Sequence, residues 1–244
     1  MLDFKINKID AIDSTNLALK RKYHKGLMKH GEVLWAMDQV KGKGHRASQW
    51  VSEPNKNLTF SFFLSQDKLL LDSVFVLNCW VALAVKNALT SFGVPCVSIK
   101  WPNDILSAQK KISGILIENN IKGDEFKNSI IGIGLNVNQT RFMNIANATS
   151  IKLITNKEIR IEEVLDKLIN NIGTYIKILI AKDFDTILDL YNSRLYGRDY
   201  CKFLINNETF EGKVINVNPS GSINVKIKGL GTKEYESNRI KILL

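Results

Sequence analysis

The sequence predicts an α+β fold, in which a sheet packed against helices is followed by a small all-β segment. Three observations carry this. Apolar strand-like runs recur through the first 140 residues, with clear period-two alternation in Leu58-Thr59-Phe60-Ser61-Phe62-Phe63-Leu64. Two long helical stretches separate and follow them, from Ser73 to Phe92 and from Ile161 to Leu179. Past Arg198 the texture changes to short strand-like runs divided by Asn206-Asn207 and Asn218-Pro219-Ser220-Gly221, both turn signals.

Taken in order, Phe4 to Ile12 reads as a first strand, and Asp13-Ser14-Thr15-Asn16 offers side-chain oxygens that cap a helix running from Leu17 to about Tyr23. Those hydroxyls also sit where a ligand anion or carbonyl would bind, so cap and ligand contact are both open. Val33 to Met37 is a buried strand. The strand from Leu58 to Leu64 turns Leu58, Phe60, Phe62 and Leu64 inward. The stretch Ser73–Phe92 contains no glycine or proline, is apolar around most of its circumference and stops at Gly93, which marks a core helix with Asn78 and Lys86 on its outer side. Cys96 to Trp101 is a short strand ended by Pro102, and Ile105-Leu106 with Ile112 to Asn119 forms a hairpin around Ser107-Ala108-Gln109-Lys110. Ser129 to Val137 is a strand whose Gly132 and Gly134 call for close backbone approach. Residues 140–157 read as polar and irregular. A helical face then runs through Ile161, Val164, Leu165, Leu168, Ile172, Tyr175, Ile176 and Leu179, and a shorter helix covers Phe184 to Leu195. The closing runs (Lys202–Ile205, Phe210–Val217, Ser222–Ile227, Lys233–Tyr235, Ile240–Leu243) suggest a small SH3-like β-barrel. The expected division is therefore residues 1–195 and residues 196–244.

Composition narrows the class. The 244 residues are 45% hydrophobic and 24% charged, enough for a full core. No run of about 18 uncharged apolar residues predicts a membrane span, and the first residues do not read as a signal peptide. Cys79, Cys96 and Cys201 are odd in number and far apart, which predicts reduced thiols in a cytoplasmic protein. The net charge of +10 fits nucleic acid, an acidic partner or an anionic small molecule. Its lysines are scattered, and no helix-turn-helix pattern precedes the first motif. Gly42-Lys43-Gly44-His45-Arg46-Ala47 formally fits the dinucleotide fingerprint, but that fingerprint opens a helix and the residues after Ala47 are a poor helix start. No Gly-x-x-x-x-Gly-Lys-[Ser/Thr] run exists, no Gly-x-Ser-x-Gly elbow, and His24, His30 and His45 show no metal spacing.

The informative stretch is Asp38-Gln39-Val40-Lys41-Gly42-Lys43-Gly44-His45-Arg46-Ala47-Ser48-Gln49-Trp50. Glycines let backbone N–H groups approach an anion, and the cations oppose its charge. Alone, it reads first as a solvated basic hairpin. It is followed by Lys100-Trp101-Pro102-Asn103-Asp104, by Lys110-Lys111-Ile112-Ser113-Gly114-Ile115-Leu116-Ile117-Glu118, and by Gly132-Ile133-Gly134-Leu135-Asn136-Val137-Asn138; Asp13-Ser14-Thr15-Asn16 precedes it. In this order the five motifs resemble those of the biotin protein ligases, in the short form without an N-terminal DNA-binding domain.

The resemblance implies a class II synthetase-like mixed sheet for residues 1–195. It implies a ligase that joins biotin to ATP as biotinyl-5′-AMP, with Mg²⁺, and passes biotin to a lysine of a biotin carboxyl carrier domain. Lys111 matches the family's essential lysine, between carboxylate and α-phosphate; read alone it is a solvated hairpin lysine. Arg46 and Lys43 add charge from the loop, and Gly42 and Gly44 let its backbone pack over the ligand. Ser14, Thr15 and Gln39 match the ureido-binding set, with Lys43, His45 and Gly114 beside the biotin. For the nucleotide the resemblance points to Lys43, Arg46, Asn103, Asp104, Lys111 and Asn136. Trp50 fits either an adenine-facing aromatic or a core tryptophan. Asp104 is the magnesium contact and the nearest base for transfer. His45 departs from the arginine or glutamine of many members, and Lys43 from a frequent arginine. No DNA or membrane partner is expected, and the oligomeric state stays open. A lipoate or octanoate ligase of related fold and a basic nucleic-acid-binding protein are the competing readings.

Overall fold

The structure is a computed structural model, and it describes residues 3–65, 74–122, 125–143 and 145–244. A seven-stranded sheet forms its centre, built from β1 (Lys5–Ile12), β2 (Glu32–Gln39), β3 (Leu58–Ser65), β4 (Val97–Lys100), β5 (Asp104–Ser107), β6 (Lys110–Lys122) and β7 (Glu125–Leu135) in the order β1-β2-β3-β7-β6-β5-β4. The sheet is mixed, as expected. β1 and β2 run parallel across α1 (Thr15–His24), whereas the other neighbours are antiparallel. The β5–β6 turn places Ala108 and Gln109 at φ 44° and 67°, the two left-handed residues that a tight two-residue hairpin requires.

Every described residue of β3 from Leu58 to Leu64 is buried, although alternation predicted one inward face. The reason is a second layer. Phe60 and Phe62 pack under α2 (Phe75–Ser91) and α4 (Ile161–Ile180), while Phe63 meets Leu19 of α1 and Ile130 on the opposite face. α2 is wrapped by α4, by α5 (Phe184–Asn192) and by the sheet, so Trp80 is fully buried and its indole N–H reaches Ile172 O at 3.1 Å. Asn78 and Lys86 are accordingly half-buried rather than an exposed edge, and Asn78 donates its amide to Pro102 O. The expected start of this helix at Ser73 lies outside the described residues. α4 buries the face foreseen from its periodicity, while Tyr175 at its rim accepts a 2.6 Å bond from Asn87. Within residues 140–157 a one-turn helix α3 (Ile151–Thr155) does form, capped by Ser150 Oγ on the N–H of Leu153.

The C-terminal strands β8 (Cys201–Ile205), β9 (Glu208–Val217), β10 (Ile223–Ile227), β11 (Gly231–Tyr235) and β12 (Ile240–Ile242) form an antiparallel sheet in the order β11-β10-β9-β8-β12. It has the strand pattern of an SH3-like unit but is not closed into a barrel, because β11 and β12 stay at opposite edges. Its apolar face is covered instead by the rest of the chain. Phe203, Val214, Val217, Ile223, Val225, Ile240 and Ile242 belong to the same buried cluster as the large sheet and α2. Trp101 donates its indole N–H to Gly221 O at 3.0 Å, and Asn192 bonds both the N–H and the C=O of Val217.

Candidate active site

One cavity of about 370 Å³ opens between the N-terminus of α1, the basic loop, the middle of β6 and β7, and the edge strand β12. At its closed end, Ser14, Thr15 and Asn16 are 2–3% exposed. Ser14 does not cap α1 with its side chain; Asp13 Oδ1 accepts the Ser14 N–H instead, and a bidentate bond from Arg21 holds the Asp13 carboxyl down to about 2. Gln39, at the end of β2, accepts from the N–H of Thr15 at 2.7 Å. Behind them sit Phe60, Gly132 and Ile133.

The other end is basic. Lys43, Gly44, His45, Arg46, Ser48 and Gln49 line it from the loop, which folds as a narrow hairpin: Lys43 bridges Gln49, Gly44 N–H bonds Ser48 O at 2.7 Å, and Trp50 N–H bonds Gly42 O at 3.0 Å. A single 3-10 turn (His45–Ala47) forms its tip, with Arg46 in the left-handed region at φ 55°. His45 is held below its ordinary imidazole value, first by burial and then by the neighbouring Arg46 charge. Lys111 on β6 places Nζ 2.5 Å from Asp104 Oδ1, off the hydrogen-bonding direction, so charge rather than a directed bond holds the pair. Lys100 approaches the other carboxylate oxygen at 3.8 Å, and burial lowers its pKa against the pull of Asp104.

Trp50 forms the floor between the two ends. Its ring lies over Gly134 and Gly114: a Cβ on Gly134 would come 2.4 Å from Trp50 Cε2, and one on Gly114 would come 3.2 Å from Cζ3. The close approach that these glycines announce is thus made by the chain's own tryptophan. Gly132 answers to Asn16 in the same way, since a Cβ there would stand 2.1 Å from Asn16 Oδ1.

Of the residues foreseen as a site, Ser14, Thr15, Gln39, Lys43, Gly44, His45, Arg46, Trp50, Asn103, Asp104, Lys111 and Gly114 converge on this cavity. Two do not. Gly42 is buried beneath Trp50 O, where a Cβ would meet that oxygen at 2.5 Å, so its role is to let the hairpin close. Asn136 is 4% exposed and gives its amide to Thr149 O at 2.9 Å, which ties β7 to the α3 turn. Asn103 lines the wall, but its amide is held by Ile115 O at 2.9 Å. Asp104 does not fit a magnesium site: its two oxygens face the ammonium groups of Lys111 and Lys100, and no cluster of three potential ligands occurs among the described residues. Sequence reasoning missed Asn16 and Phe60, together with Ser237 and Lys241, which complete the wall from the C-terminal sheet. No motif flags the last two, because topology alone carries them there.

The profile of the biotin/lipoate A/B protein ligase family matches residues 9–136, just over half of the chain, and the chain belongs to that family. Within it, the solved biotin protein ligase of Aquifex aeolicus in complex with biotin and ATP superposes with a TM-score of 0.81 at 29% identity, covering 98% of both chains. A biotin–[acetyl-CoA-carboxylase] ligase of Paracoccus denitrificans is 35% identical over 130 residues, 51% of this chain and 51% of that protein. The bifunctional ligase/repressor of Escherichia coli K12 is 30% identical over 133 residues, 54% of this chain but only 40% of its own length. The matches thus span about half or less of these curated relatives.

Proposed function

We propose that this chain is a biotin protein ligase. It activates biotin with ATP to biotinyl-5′-AMP and transfers the biotinyl group to a lysine of a biotin carboxyl carrier domain. One observation carries the reading: one cavity joins a closed, uncharged polar end to a basic end that holds Lys43, Arg46, Lys100 and Lys111. Such a cavity suits a ligand with a neutral polar head and an ionised tail that meets a nucleotide phosphate.

In the first step a biotin carboxylate oxygen attacks the α-phosphorus, and pyrophosphate leaves with the electron pair of the broken P–O bond. Both reactants are anions, so the site must offset their repulsion and the charge that grows on the phosphoryl oxygens. Lys111, Lys43 and Arg46 supply that charge. Asp104 holds Lys111 in place and leaves when phosphate oxygens take over as its partner. Trp50 presents a ring wall to the nucleotide end. Magnesium would supply further positive charge to the phosphates, while Asp104, faced by Lys111 and Lys100, positions those lysines. In the second step a carrier lysine amine attacks the acyl carbon, AMP leaves, and the amine proton passes out. Water must be kept from the mixed anhydride, and the hairpin at Lys43–Gln49 is the segment placed to cover it.

We further assign residues 1–195 to the catalytic unit and residues 196–244 to an accessory one. Among the described residues the C-terminal strands pair only among themselves, which supports the division. No described helix is long and apolar enough to cross a membrane, and the three cysteines are free, in keeping with a reducing cytoplasmic setting. Pyrophosphate–ATP exchange with biotin, lipoate and octanoate in parallel tests the function. Exchange with biotin alone is expected; exchange at a similar rate with lipoate would overturn the assignment.

A further inference from the structure

Behind the closed end lies a chain of buried polar groups that no motif predicted. Thr15 Oγ1 stands 2.6 Å from Ser61 Oγ, Ser61 Oγ stands 2.6 Å from Asn16 Oδ1, and Asn16 Nδ2 donates to Glu118 Oε2 at 2.9 Å. Ser61 is wholly buried, and Thr15 and Asn16 are each 3% exposed. Glu118 lies outside the cavity wall, at the far end of the chain, with its other oxygen 3.6 Å from Lys20 Nζ.

Counting protons gives this chain a direction. An ionised carboxylate only accepts, and so does the Leu116 carbonyl oxygen 3.4 Å from the same nitrogen, so the shorter Glu118 bond, seconded by Leu116 O, turns Asn16 Nδ2 towards them and Asn16 Oδ1 towards Ser61. Three oxygen–oxygen contacts follow in line: Asn16 Oδ1 to Ser61 at 2.6 Å, Ser61 to Thr15 at 2.6 Å, and Thr15 to Gln39 Oε1 at 3.0 Å. Only two hydroxyl protons are available to fill them. An oxygen pair at 2.6 Å requires a proton between its members. The two short contacts therefore take both protons, and the 3.0 Å contact to Gln39 is left without one. Gln39 cannot turn its amide to help, because its oxygen already accepts the N–H of Thr15.

We infer that Glu118 is a positioning residue for head-group selection. Through Asn16 and Ser61 it turns the Thr15 hydroxyl proton away from the cavity, so that Thr15 Oγ1 and Gln39 Oε1 together present a pair of acceptors. That pair is satisfied by an N–H donor and repels an acceptor or an apolar edge. The inference rests on the biotin reading, since the ureido ring supplies the N–H.

The test measures binding of biotin and of its two cyclic carbamate analogues, in which one ureido N–H is replaced by ring oxygen, to the wild-type chain and to Glu118→Gln. In the wild type the analogue with oxygen facing Thr15 should bind at least about 100-fold more weakly than biotin, as an acceptor facing two acceptors. A glutamine at 118 can donate as well as accept, so the Asn16 amide keeps only the longer, weaker hold of Leu116 O. The analogue gap should then shrink to about tenfold, while biotin itself weakens by about tenfold. A merely structural role would weaken both ligands alike and keep the gap. Ser61→Ala breaks the same chain with little change in volume, and it should shrink the gap even if Glu118→Gln does not fold. A gap that persists in folded Ser61→Ala or Glu118→Gln overturns the inference and leaves the ligase reading standing. A wild-type chain that binds no biotin overturns both.

Discussion

The two ends of the cavity solve their problems differently. At the closed end Thr15, Asn16, Gln39 and Ser61 are locked to one another by short bonds before any ligand arrives. At the open end Lys43 and Arg46 are exposed on a hairpin held by few backbone bonds, and Lys111 and Lys100 share one carboxylate. The contrast separates two uses of polar groups. Recognition of a neutral head needs fixed hydrogen-bond directions, which burial enforces. Stabilisation of phosphate charge needs cations close by, and these repel one another until the phosphate comes.

The largest expected break in this contrast is Lys111→Ala. Adenylate formation measured by pyrophosphate exchange should fall by about 10²–10³-fold, because a cation at the reacting atoms is lost. Its side chain is 34% exposed and has little packing to lose, so the melting temperature should stay within about 2 °C. Equal collapse of activity and melting temperature would make Lys111 structural.

Next come two glycines on one strand, two residues apart. Gly132→Ala would strike Asn16 and Gly134→Ala would strike Trp50, each overpacking at about 1–3 kcal/mol. Titrations should show Gly132→Ala weakening biotin more than ATP, and Gly134→Ala weakening ATP more than biotin. The same ligand suffering most in both variants would erase the distinction between the ends.

A smaller effect concerns order in the loop. Limited trypsin digestion of the free chain should cut at Lys41, Lys43 or Arg46, all exposed. Biotin plus MgATP should protect these bonds strongly, and biotin alone much less. Equal cleavage in all three states would mean that the hairpin does not cover the adenylate.

The smallest concerns His45. Its folded pKa lies below the ordinary 6.5, chiefly through burial, so between the two values the unfolded chain binds the extra proton. Stability therefore declines as pH falls through about 6.5 and levels off once the folded imidazole also protonates. In melting curves from pH 7.5 to 5.5, His45→Gln should lose slightly less than the wild type. A greater loss in the variant would reverse the sign argued for burial.

The open end was largely readable in the sequence, because glycines alternating with cations and a lysine after a hairpin turn carry their chemistry locally. The closed end was readable only at Ser14, Thr15 and Gln39. Ser61 looked like the polar face of an alternating strand, and only the α1 layer shows that this face is buried too. Gly132 signalled a close approach but could not say that Asn16 makes it. The parallel pairing of β1 and β2 and the failure of the C-terminal strands to close into a barrel also escaped, since both depend on which distant surface covers an apolar face. The metal role expected of Asp104 meets a related obstacle: a lone carboxylate in a motif does not disclose the two lysines that face it.

Ser237 and Lys241 stand on the same cavity wall as Ser14, although over 200 residues of chain separate them. A ribosome making this protein would finish the head-group end of the cavity long before the last of its wall emerged. The nascent chain would therefore hold an unroofed pocket for much of its synthesis.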